Sequence, residues 1–247
     1  DALPILLLCL LAVSATALAD GGVSFTRNRL VFNEGEKAIS LSVVNHGENP
    51  YLIQAGVSAA PDKQLRAPFL VTPPLFRLNG NAQNMMRIVG TGAELPRDRE
   101  SVFYFYASAV PGQRDPHEEG RDDASGVVGA QLSIAMKTVL KLFYRPKGLS
   151  VTIDQAHGMM QFVQQGTQVA IKNPTPYYQS FAFLSFDGVQ QDLDRQVSMI
   201  APGATATFAA GKPVKSVSWS VMTDYGGSTQ MVTQAVEKSS PATRPGS

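Results

Sequence analysis

From residue 20 onward the chain is a succession of short apolar runs that tend to alternate with polar positions, interrupted by turn residues at intervals of about ten. The runs 38–44, 51–57, 101–109, 168–171, 180–186, 205–208 and 216–222 are rich in β-branched and aromatic residues, the types that suit a pleated, half-buried surface. Between them lie clusters of Asn, Gly, Pro and Glu at 33–36, 45–50, 79–81, 173–176 and 201–203. This pattern predicts an all-β chain of sandwich type, and 21 Gly with 16 Pro leave little room for long helices.

One stretch fits two periods. Between Ala130 and Arg145 there is neither Gly nor Pro. Leu132, Ala135, Met136, Val139, Leu140 and Phe143 suit an amphipathic helix, whereas Leu132, Ile134, Met136, Leu140, Leu142 and Tyr144 suit alternation. The all-β surroundings and the β-branched content predict a strand. Pro146-Lys147-Gly148 then reads as a boundary. The expected division is a leader over 1–19, domains over 20–147 and 148–237, and a flexible tail over 238–247.

The leader is read from the run Pro4-Ile5-Leu6-Leu7-Leu8-Cys9-Leu10-Leu11-Ala12-Val13 and the later Ala17-Leu18-Ala19. An apolar core this short, closed by A-x-A, is a secretory signal and not a membrane span. Cleavage is expected after Ala19, and the missing Met and basic start place residue 1 inside a longer precursor. The single cysteine, Cys9, leaves with that segment, so thiol chemistry and cysteine-held metals are excluded.

Hydrophobic residues make up 44% and charged residues 17%, a balance that folds and is not disordered. A formal net charge of +1 lacks the basic footprint of a nucleic-acid binder. His46, His117 and His157 have no partner at a metal-ligand spacing, and no nucleotide-binding or serine-hydrolase motif is present. Neither a cofactor nor a metal is expected. The aromatic runs Phe103-Tyr104-Phe105-Tyr106 and Tyr177-Tyr178 read first as core and second as a platform for a sugar. The polar loop 111–126 reads first as a solvated connection and second as a recognition loop.

Six strings, taken together, resemble the periplasmic pilus chaperones of the PapD type, which serve chaperone–usher assembly. They are Arg27-Asn28-Arg29-Leu30-Val31-Phe32, Thr72-Pro73-Pro74-Leu75-Phe76-Arg77-Leu78, the run from Leu95-Pro96-Arg97 to Phe103-Tyr104-Phe105, Lys141-Leu142-Phe143-Tyr144-Arg145-Pro146, Asn173-Pro174-Thr175-Pro176-Tyr177-Tyr178, and Asp224-Tyr225-Gly226-Gly227. They stand in the family's order across nearly the whole chain after the leader.

The resemblance implies two immunoglobulin-like sandwiches set in an L, a periplasmic location, and no enzymatic activity. It implies that Arg29 and Lys141 hold the C-terminal carboxylate of a fimbrial subunit. It implies further that Leu132, Ile134 and Met136 form an exposed strand face lent to that subunit's incomplete sandwich. Glu100, Arg145 and Asp224 match a charged set between the domains. Such a protein captures subunits, blocks their premature polymerisation and delivers them to an outer-membrane usher. Its unpaired strand leads to the expectation of self-association in the absence of a client. Lys141 has the opposite parity from the three donor residues, which requires either a bulge or two different faces. A secreted two-domain adhesin binding carbohydrate through Tyr177, Tyr178 or the run 103–106 is the rival reading. It leaves the two cations and the uninterrupted strand unexplained.

Overall fold

The computed structural model describes residues 22–112 and 134–238. The expected leader, Leu132, most of the loop 111–126 and the tail from 239 lie outside the described residues.

The first sandwich is built from β1 (Val23–Phe25), β2 (Arg29–Asn33), β3 (Ala38–Asn45), β4 (Tyr51–Ser58), β5 (Phe69–Thr72), β6 (Leu75–Leu78), β7 (Gln83–Gly90), β8 (Ser101–Pro111) and β9 (Met136–Arg145). One sheet has the order β1-β3-β7-β5 and the other β2-β9-β8-β4-β6. Alternation does the work: in β8 Phe103, Phe105, Ala107 and Ala109 are buried, while Tyr104, Tyr106 and Ser108 lie on the other face. Leu30, Leu41, Val43, Ile53, Met86, Ile88, Phe105 and Leu142 close the core between the sheets. Edge-on ring contacts Phe32–Phe69 and Phe69–Phe103, each with centroids 5.2 Å apart, bind its layers.

The second sandwich follows a one-turn helix, α1 (Ile153–Ala156), closed at its start by a Thr152–Gln155 capping box. Its strands are β10 (Gln161–Gln165), β11 (Gln168–Lys172), β12 (Gln179–Phe186), β13 (Val189–Gln190), β14 (Met199–Ile200), β15 (Thr205–Ala209), β16 (Ser216–Val221), β17 (Val232–Ala235) and β18 (Glu237–Lys238). The sheets run β15-β11-β10-β18 and β13-β12-β16-β17, with β14 also on β12. Trp219 is fully buried at the centre of a separate core, against Phe162 and Phe181. Two sheet pairs enclosing two apolar clusters are the all-β, two-domain architecture that the pattern predicts.

The stretch that fitted two periods is a strand over Met136–Arg145; Ile134 and Ala135 precede it without strand pairing. Its register with β8 runs unbroken from Ala109↔Met136 to Ser101↔Tyr144. There is no bulge, so the parity question resolves as two faces. Leu140 and Leu142 enter the core, while Lys141 and Phe143 point the other way. Strands β5, β7, β10 and β17 lie outside the runs singled out from the pattern; in β7 and β10, Gln, Asn and Arg dilute the alternation.

Candidate functional site

The chain crosses between the sheets of the first sandwich at residues 26–28, and this brings Arg29 to the start of β2. There β2 runs parallel to β9, with Arg29 opposite Lys141 and Asn33 opposite Arg145. Two cations 112 positions apart in sequence are thus direct cross-strand neighbours, an arrangement that is destabilising unless an anion joins them. Arg29 is not the surface charge that an edge strand suggests. It is only 7% exposed, with its guanidinium 4.6 Å above the Phe143 ring and Nη1 donating to the Met222 carbonyl at 3.1 Å. Its Nε is buried and has no acceptor among the described residues. Lys141 has no hydrogen-bond or carboxylate partner among the described residues.

Burial lowers the pKa of Arg29, against the opposing charges of Asp224 and Glu100. Burial and then the Arg29 charge lower that of Lys141. Both groups would gain from a carboxylate brought between them.

Beside this pair Arg145 contacts two carboxylates, Glu100 and Asp224. Arg145 Nε donates to Glu100 Oε1 at 2.8 Å, while Nη1 and Nη2 donate to the two oxygens of Asp224 at 2.6 and 2.8 Å. Glu100 is 3% exposed, and its second oxygen accepts from the Tyr178 amide at 2.9 Å. Burial raises the pKa of Glu100 despite the Arg145 charge and hydrogen bond. Burial also pushes Asp224 upward, but the hydrogen bonds and charge of Arg145 prevail and leave it below its ordinary value. The trio is satisfied internally, as structural groups are.

Sequence reasoning missed the groups that seat this cluster. Asn28 Nδ2 donates to the Gly226 carbonyl at 3.2 Å. Gly226 has φ +84°, and any Cβ there would run into the Asn28 carboxamide, so only glycine fits. Asn173 Nδ2 donates to the carbonyls of Tyr177, Ile200 and Ala201, and its Oδ1 takes the Thr175 amide and hydroxyl. That knot fixes the 174–176 turn, whose Pro176 carbonyl accepts the Glu100 amide at 2.8 Å. The Asn-Pro-Thr-Pro string was the available signal, though it does not say what the turn touches.

The aromatic runs divide. Phe103 and Phe105 are core, and Tyr177 is 5% exposed beneath the Arg145 guanidinium, 5.2 Å from it. Tyr177 therefore does not present a sugar platform. Of the residues expected to form the donor face, Ile134 and Met136 are exposed at 64% and 54%. Strand β2 covers β9 only from Lys141 onward. From Met136 to Leu140 that edge of β9 has no partner strand among the described residues. No group of three potential metal ligands occurs among the described residues.

Comparison with known proteins places this geometry in context. Residues 22–150 match the family model for "Pili and flagellar-assembly chaperone, PapD N-terminal domain", and residues 155–233 match "Pili assembly chaperone PapD, C-terminal domain". The probable fimbrial chaperone ElfD of Escherichia coli K12 is 38% identical over 219 residues, spanning 87% of this chain and 88% of that protein. Chaperone LpfB of Salmonella typhimurium is 33% identical over 235 residues, spanning 94% and 95%. Among solved structures, that of the Salmonella enterica SafA pilin in complex with the SafB chaperone contains a chain that superposes with a TM-score of 0.75. The match is at 30% identity and covers 87% of this chain and 97% of that one.

Proposed function

Because the chain belongs to the PapD-type family of pilus-assembly chaperones, we propose that Arg29 and Lys141 hold the C-terminal carboxylate of a fimbrial subunit while β9 completes that subunit's fold. The observation that carries this reading is the position of two partly desolvated cations, neither with a carboxylate partner among the described residues, where β2 stops covering β9. A carboxylate drawn there loses water and needs charge-assisted donors, worth about 1.5–3 kcal/mol each. An ammonium supplies attraction, and a guanidinium fixed on a ring supplies direction.

The open edge of β9 offers main-chain donors and acceptors to an added strand. Ile134 and Met136 are exposed apolar side chains beside it, and in the sequence Leu132 continues their spacing of two. Three such side chains withdrawn from water contribute roughly 5–9 kcal/mol before association costs. The chaperone acts in the periplasm, without catalysis or a cofactor, and passes the subunit to an outer-membrane usher. SafB, to which this chain is similar, is seen with a pilin. The absence, among the described residues, of any helix long and apolar enough to cross a membrane is consistent with this placement.

The test is co-expression with the cognate fimbrial subunits, comparing the wild type with Arg29→Ala and Lys141→Ala. Stable subunit complexes should disappear for both variants while the chaperone still folds. Normal recovery of subunits by both would reject the anchor.

A further inference from the structure

The tyrosines on the outer face of β8 and the lysines of β9 are not fully used by the function proposed above. Lys137 and Lys141 share the outer face of β9, opposite to Leu140 and Leu142, with Val139 between them. At about 3.3 Å per residue their α-carbons are roughly 13 Å apart. Lys137 is held in place: its Nζ lies 5.4 Å from the centre of the Tyr106 ring. Tyr106 in turn lies over Gly56, its cross-strand neighbour on β4. A Cβ on Gly56 would come within 2.7 Å of the Tyr106 Cζ, so the glycine makes room for the ring. Lys137 has no carboxylate partner among the described residues.

We infer that Lys137 is a second carboxylate-reading group, selecting subunits with Asp or Glu at the third residue before their C-terminus. This rests on the anchor reading, and the register follows from it. A strand added to the free edge of β9 must end at Arg29 and Lys141 for its terminal carboxylate to reach them. It therefore runs in the same direction as β9. Arg29 already occupies the place opposite Lys141, so the last guest residue lies alongside Leu140. Counting back in step, the third residue before it lies alongside Lys137, and in a parallel pair these two side chains share the outer face. An acidic side chain there offers the Lys137 ammonium a carboxylate in place of its contact with the Tyr106 ring on the neighbouring strand, while a lysine there meets a like charge.

The probes are short, labelled synthetic peptides with a free C-terminal carboxylate, made with Glu or Lys at the third residue before the last. Binding is read by fluorescence anisotropy at low and high salt. The Glu peptide should bind about two- to fivefold more tightly than the Lys peptide at low salt, the range of an exposed ion pair, and the ratio should shrink as salt rises. Lys137→Gln should abolish the ratio and Lys137→Glu should invert it; both changes are at an exposed position and leave the fold intact. Moving the Glu to the residue before the last, beside Val139, should remove the preference.

A C-terminally amidated peptide separates the two proposals. A Glu:Lys ratio unchanged by Lys137→Glu, with amidation still weakening binding, overturns this inference and leaves the anchor standing. Amidation without effect overturns both.

Discussion

Arg145 and Asp224 meet in a two-point clasp across the seam between the sandwiches, with N···O distances of 2.6 and 2.8 Å. The same guanidinium reaches Glu100 through Nε, so one side chain pairs with two carboxylates and ties the first domain to the 223–227 turn of the second. Bidentate geometry restrains the approach angle as well as the distance. Replacing Arg145 with Met should therefore cost about 3–5 kcal/mol, because Glu100 is left buried and unpaired. Urea unfolding followed separately through Trp219 should show the second domain uncoupling from the first. A single transition at the wild-type midpoint would refute this account.

Lys141→Ala and Arg29→Ala should differ in stability even though both should lose subunit binding. The Lys141 side chain has no hydrogen-bond or carboxylate partner among the described residues, so its removal should leave the melting temperature near that of the wild type. Arg29 is packed on Phe143 and donates to Met222, so its removal should also lower stability by about 1–3 kcal/mol. Differential scanning calorimetry of the two variants checks the contrast, and equal midpoints would contradict it.

Ile134 is largely exposed, so Ile134→Asp should change the melting temperature little while weakening subunit capture more than tenfold. The basis is loss of a donated side chain worth about 1.5–3 kcal/mol, with a charge left in its place. Pull-down yields that match the wild type would remove Ile134 from the donated face.

Asn173→Ala should destabilise the second domain by roughly 2–4 kcal/mol, since the side chain satisfies several buried groups at once. By freeing the 174–176 turn it should also loosen the hold on Glu100, which is detectable as faster amide exchange at Glu100 and Tyr178. Exchange protection equal to that of the wild type at those amides would break the proposed link between the turn and the trio.

Histidine sets a pH dependence. Burial lowers the pKa of His157, with Asp154 and Asp224 opposing and Arg29 and Arg145 assisting. The unfolded chain therefore binds the proton at higher pH than the folded one does. Stability should fall as pH drops below about 6.5 toward the depressed folded value. Glu100, raised in the fold, acts in the opposite sense above its ordinary range, so the measurement is the difference between wild type and His157→Gln. The variant should lose less stability than the wild type between pH 7.5 and 5.5. Identical losses would show that His157 does not titrate in this window.

How much of this was legible in the sequence differs between residues. The strand character of 38–44, 51–57 and 101–109, the burial of Phe103 and Phe105, and the charged identities of Arg29, Glu100, Lys141, Arg145 and Asp224 follow from local alternation and from strings that survive in order along the chain. Those properties depend on neighbours one or two residues away, which the sequence records directly. The tertiary structure alone decided that Lys141 and Met136 point to opposite sides of β9, because parity acquires a direction only when Leu140 and Leu142 are drawn into a core made by distant strands. It likewise decided that Arg29 is buried against Phe143, that Lys137 rests on Tyr106, and that β2 covers β9 only from Lys141 onward. These relationships join residues about 30 to more than 100 positions apart. Their energies come from desolvation and packing between elements, which no local pattern encodes.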